Sequence, residues 1–101
     1  MHRGEVTQLK AEVTRLANIV AAINSPLTAN FIEGVKREAA YQRKLYDQSD
    51  REKLPADWFW TLCFLATKAH EAARRGDKDK ALHHTISSAA LLLNWHASLT
   101  A

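Results

Sequence analysis

An all-α fold, a four-helix, hairpin-based bundle with an N-terminal heptad helix, is what this sequence predicts. Three observations carry the expectation. Only 3 Gly and 2 Pro occur in 101 residues, too few breakers for a many-turned β fold. The apolar residues recur at helical steps with no sustained period-2 alternation. The few breaker and capping residues fall where helices should start and stop.

The first segment, EVTQLKAEVTRLANIVAAI, carries Val6, Leu9, Val13, Leu16, Val20 and Ile23 at steps alternating between three and four. That is a heptad seam with Val at a and Leu or Ile at d, which predicts self-association into a dimer or higher oligomer. Glu5 then falls at g and Lys10 at the following e, where parallel partners would face each other. Residues 1–24 are therefore expected to form an oligomerisation helix, and residues 25–101 the bundle domain. Ser25 suits an N-cap and Pro26 the first helical position. The second helix is expected to run to about Tyr46, with Leu27, Phe31, Val35, Gln42 and Leu45 on one stripe that only Gln42 interrupts. DQSDREKLPAD reads as a polar loop. Pro55 or Asp57 opens the third helix, which ends near Arg75. Gly76 suits the left-handed position after a helix, and Asp77 is placed to cap the fourth helix.

Composition narrows the function classes. The net charge of +3 is mild, and between Glu33 and Lys53 the basic residues are interleaved with acids. That is a solvated, ion-paired face, which argues against nucleic acid. No apolar run reaches the length of a membrane span, and the N-terminus lacks the apolar stretch of a secretory signal. The lone Cys63 sits in the apolar run WFWTLCFLATKA. It points to a reducing, cytoplasmic setting and to an inert core thiol. Trp58, Phe59, Trp60, Phe64 and Trp95 are the expected core.

A tight turn at Gly76-Asp77 folds the fourth helix back along the third. It brings His70 level with His83 and His84, Thr67 with Ser87, Cys63 with Leu91, and Phe59 with Trp95. The end near the turn is thus polar and the far end apolar. Three readings of the polar end compete. It is plain wet surface, or a metal site of His70, His83 and His84, or an anion pocket. In the last, Lys68, His70 and His84 supply charge while Thr67, Thr85 and Ser87 act as neutral donors. Adjacent histidines on a helix point about 100° apart, which disfavours a shared ion. No HExxH, ExxH or carboxylate cluster accompanies them. Ser87 lies one turn beyond His84, but no residue is seen to orient the imidazole for nucleophilic chemistry. The reading carried forward is ligand binding by Lys68, His70, His84, Ser87 and Thr67, with no metal, no cofactor and no enzymatic activity.

The stretch FIEGVKREAAYQRKLYDQSDREKLPADWFWTLCFLATKAHEAARRGDKDKALHHTISSAALLLNWHASL resembles short, phage-borne proteins related to the all-α, MazG-like nucleoside triphosphate pyrophosphohydrolases. KREAAYQRKLY, then DWFWTLCFLATKAHEAA, then KALHHTISSAALLLNWHASL carry the resemblance over about residues 31 to 99. The heptad segment lies outside it. Such enzymes hold Mg²⁺ with an EExxE-like motif on one helix and an ExxD-like motif on the next, hard oxygen ligands suited to bridging phosphates. Here the first motif falls within FLATKAHEAA, where Glu71 is the only acid, and the second within HHTIS, where His84 and Ser87 stand at the ligand positions. The resemblance therefore implies a non-catalytic phage or prophage protein of the bacterial cytoplasm that binds a nucleotide-like anion. Sequestering a nucleotide signal of host defence is one use of such a protein. The alternative is an adaptor whose helices engage a host protein. An active pyrophosphohydrolase is the third expectation.

Overall fold

The computed structural model describes residues 3–100, and among them every regular element is a helix. The elements are α1 (Arg3–Ile23), α2 (Pro26–Glu52), α3 (Pro55–Arg74) and α4 (Lys78–Thr100). Among the described residues, no helix is long and apolar enough to cross a membrane. The chain divides into two compact units, Met1–Ile32 and Glu33–Ala101. This division falls within α2 and not at the turn around Asn24.

The first unit holds α1, its closing turn and the start of α2. Asn24 N–H donates to Val20 O at 3.0 Å and Ser25 N–H to Ala22 O at 3.2 Å, which ends α1. Pro26 has no N–H to leave unsatisfied, and Ala29 N–H donates to Ser25 O at 2.9 Å to start α2. No residue of α1 is buried.

The second unit is built on the antiparallel α3–α4 hairpin, with the later turns of α2 laid against α4. Three features of its hairpin turn follow the sequence. Gly76 has φ +78°. Asp77 N–H reaches back to Ala72 O at 2.9 Å, and Asp77 Oδ1 accepts Lys80 N–H at 3.2 Å. Glycine takes this backbone shape without a Cβ clash, and the carboxylate satisfies an orphan donor of α4. At the start of α3, Pro55 is the first helical residue and Asp57 reaches back to accept Leu54 N–H at 2.8 Å.

The polar loop expected over Asp47–Asp57 is mostly helix, because α2 continues to Glu52. Charges at helical spacing support it: Arg51 donates to Asp47 at 2.8 Å and Lys53 to Asp50 at 2.5 Å. No Gly or Pro interrupts the run before Pro55, so polarity alone does not end the helix.

Small residues set the α2–α4 contact. Ala39 and Ala90 are both wholly buried and pack with Val35, Ile86 and Ala89. Two side chains bond across this contact. Gln42 Nε2 donates to Ser87 O at 3.2 Å, and Asn94 Nδ2 donates to Ala39 O at 3.1 Å. Gln42, the polar break in the α2 stripe, is thus a tie between helices.

The aromatic core is narrower than expected. Trp58 is buried and stacks on half-buried Trp95 with centroids 6.3 Å apart and planes 4° apart. Phe59, Trp60 and Phe64 are exposed. Consecutive helical residues turn by about 100°, so Trp58, Phe59 and Trp60 cannot share one face. Phe59 and Trp60 instead meet edge to face at 5.1 Å. Cys63 is half-buried on the same helix.

Gly34 tests how much room the α2–α4 contact leaves. A Cβ there would meet Ile86 Cδ1 at 3.1 Å, with the next carbon at 3.8 Å. Only the free end of one side chain must move. Relief of the mid-helix glycine is worth up to about 1 kcal/mol. Gly34→Ala is therefore expected to stabilise the chain by about 0.5 kcal/mol in a urea melt. A loss of stability instead would mean that Ile86 is locked in place.

Candidate functional site

The α3–α4 turn orders the ends of both helices, and an open cleft of about 510 Å³ lies between them. Thr67, Lys68, Glu71 and Arg75 come from the α3 side, Lys80, His83 and His84 from α4, and Phe64 closes the lower end. Three residues of the sequence-based site meet here: Thr67, Lys68 and His84. Two do not. His70 is exposed on the outside of α3, with Nδ1 3.9 Å from Glu71 Oε1. Ser87 is buried and faces the α2 side of α4. Sharing a level along the hairpin is not sharing a face, and the helical rotation turns both side chains away.

The cleft gains cations that the level-matching missed, Arg75 and Lys80. Lys80 precedes His84 by four residues and so lies on the same face. His83 also lines the cleft, its ring centroid 5.3 Å from that of His84. Lys68 Nζ rests 4.4 Å above the Phe64 ring, an attraction that positions the ammonium at the rim. Glu71, the one acid of the lining, is held by Arg74 at 2.9 Å. Thr67 Oγ1 donates its proton to Cys63 O at 2.7 Å, so its remaining role toward a ligand is as an acceptor.

Burial and the neighbouring cations both act on His84. The His84 imidazole is held below its ordinary value of 6.5 by burial first, then by His83, Lys68 and Lys80, with Asp77 opposing. The unfolded chain thus binds this proton more readily than the folded one. Its contribution to stability is present above the ordinary value and is lost as pH falls through the depressed one. An anion seated in the cleft would cancel the repulsion and draw the proton back. Sulfate is the suitable probe, because its own charge does not change near neutrality. Its affinity is expected to rise as the pH is lowered from 7.5 to 5.5, with proton uptake, and His84→Gln should flatten that slope. Titration calorimetry in two buffers of different ionisation enthalpy measures both.

The donor set does not fit Mg²⁺. Such an ion takes oxygen ligands, chiefly carboxylates and phosphates. Glu71 is engaged by Arg74, and its neighbours across the cleft are ammonium and imidazole groups. Among the described residues, no three His, Cys, Asp or Glu side chains come together in a way that could hold a metal ion.

A second concavity of about 390 Å³ lies between α2, α3 and α4, walled by Tyr41, Tyr46, Trp58 and Phe64 and floored by Ser87, Leu91 and Asn94. Lys53 closes its edge, lying 4.2 Å over the Trp58 ring while bonded to Asp50. Asn94 is 5% exposed, and its Oδ1 is buried without a hydrogen-bond partner. Leaving such an oxygen unpaired costs roughly 1–3 kcal/mol. Asn94 sits inside an apolar run, where nothing local marks it as polar lining. Comparison with protein-family models, with curated proteins and with solved structures yields no match, so the chemistry of the cleft is read from its own side chains.

Proposed function

We propose that the hairpin tip binds a phosphate-bearing anion, nucleotide-like in class, without hydrolysing it. One observation carries this reading: Lys68, Arg75 and Lys80 surround a single open cleft with His83 and His84, while its only acid is occupied by Arg74. Ammonium, guanidinium and imidazolium groups meet phosphate oxygens directly through charge-assisted hydrogen bonds. Carboxylates would need a metal between themselves and the same oxygens. The resemblance to MazG-like pyrophosphohydrolases supports the direction of the change. Where those enzymes carry acids, this chain keeps only Glu71 in the stretch that resembles the first motif and has His84 and Ser87 at the ligand positions of the second. On this reading the chain is a phage or prophage protein that holds a nucleotide signal in the bacterial cytoplasm. A thermal-shift panel of mono-, di-, tri- and cyclic nucleotides with inorganic triphosphate tests it. A ligand at a hundred times its dissociation constant adds about 2.7 kcal/mol of stability. No shift with any member of the panel contradicts it, and pyrophosphate release in Mg²⁺ would restore an enzyme.

A second reading, an adaptor that engages a host protein, has its own support. Leu92, Leu93 and Leu99 of α4 are exposed and border a shallow apolar groove with Val35, Ala89, Trp95 and His96. Exposed apolar surface of this kind marks interaction sites. Capture of one host protein by the intact chain, with no response to nucleotides, favours this reading over the first.

A further inference from the structure

We propose that α1 pairs with α1 of a second copy of the chain as a parallel, two-stranded coiled coil. The apolar seam of α1 is uncovered along its whole length. Leu9 is 56%, Val13 66%, Leu16 48%, Val20 54% and Ile23 60% exposed, with Val6 at 37%. A helix of 21 residues is marginal by itself in water, and its apolar stripe is what a partner helix stabilises. The seam's composition selects the partner. Val at a with Leu at d is the pattern of two-stranded parallel pairing, and Val6, Val13, Leu9 and Leu16 follow it, with Val20 and Ile23 closing the third heptad.

The charges select the direction. In the parallel arrangement g of one helix meets the following e of the other, so Glu5 meets Lys10 twice across the two-fold axis. In the antiparallel arrangement g meets g and e meets e. The central pairs would then be Glu12 with Glu12 and Ala17 with Ala17, and Lys10 would have no acid opposite. Within each helix Arg15 bonds Glu12 at 3.0 Å. A second copy is therefore the occupant that both seam and charge fit.

The test is the mass of the intact chain in solution by sedimentation equilibrium at micromolar concentration, with three variants. The wild-type chain is expected at twice the monomer mass. Leu16→Glu places two carboxylates in the seam and is expected to weaken association more than about hundredfold. Gln8→Glu, on the outer face, is expected to leave it unchanged. Both positions are exposed, and far-UV circular dichroism should show helix content retained. For direction, Leu9→Cys in a Cys63→Ser background is expected to form an interchain disulfide under mild oxidation, because like positions meet in a parallel pair. A monomer, a dimer that survives Leu16→Glu, or a trimer overturns the proposal. So does a dimer in which Leu9→Cys fails to cross-link.

Discussion

Trp58→Ala is expected to destabilise the chain by about 3–5 kcal/mol, the range for truncating a buried aromatic. Trp58 is 3% exposed, stacks flat on Trp95 across the hairpin, and carries the Lys53 ammonium 4.2 Å over its ring. Its loss removes apolar burial, the stacking contact and the anchor that ties the end of α2 to α3. Few other large side chains are buried in this unit, Leu91 being the nearest comparison at 4% exposed. A small domain has only a few kcal/mol in hand, so the variant is expected to be partly unfolded at room temperature. Trp60→Ala is the matched control. Its ring lies on the same helix but is 67% exposed, and its loss is expected to cost about 0.5 kcal/mol or less. Urea melts followed by far-UV circular dichroism, at one protein concentration, compare the two. Equal costs would show that α3 is rotated from the position described.

Reversing two charges in the cleft should act on binding and leave the fold alone. Lys68 and Lys80 are both exposed and both line the tip cleft. Each hydrogen bond from a charged donor to a phosphate is worth about 1.5–3 kcal/mol, and a carboxylate in its place adds repulsion. Lys68→Glu combined with Lys80→Glu is therefore expected to lower affinity for inorganic triphosphate by more than about a hundredfold. The melting temperature without ligand should hardly move, since exposed substitutions seldom exceed about 0.5 kcal/mol. Lys78→Glu combined with Lys44→Glu controls for net charge, because it reverses the same number of charges at exposed positions that do not line the cleft. Equal losses in the control would reduce the effect to a general field.

What could be read from the chain depended on range. Pro55, Gly76 and Asp77 mark their turns through local backbone chemistry, and each stands where its residue type predicts. The alternation of Val6 through Ile23 is likewise local. Facing was harder. Trp58 and Trp60 are equally apolar in sequence, and only the rotation of α3 against α4 decides which is buried. The same rotation sends His70 and Ser87 away from the cleft and brings in Arg75 and Lys80. Gln42 reads as a flaw in an apolar stripe because its partner, the carbonyl of Ser87, is far along the chain, and the bond from Asn94 to the carbonyl of Ala39 spans a similar distance. α2 runs longer than its composition suggests, because ion pairs at helical spacing have the composition of a loop.

Calorimetric titration of inorganic triphosphate and nucleoside triphosphates into the chain, in metal-free buffer at pH 6.5, bears most directly on the hairpin tip. Saturable binding of one anion per chain is predicted, weakening as salt is raised, and lost in the Lys68→Glu, Lys80→Glu double variant. An absence of saturable heat, or binding that the double variant leaves intact, would contradict it.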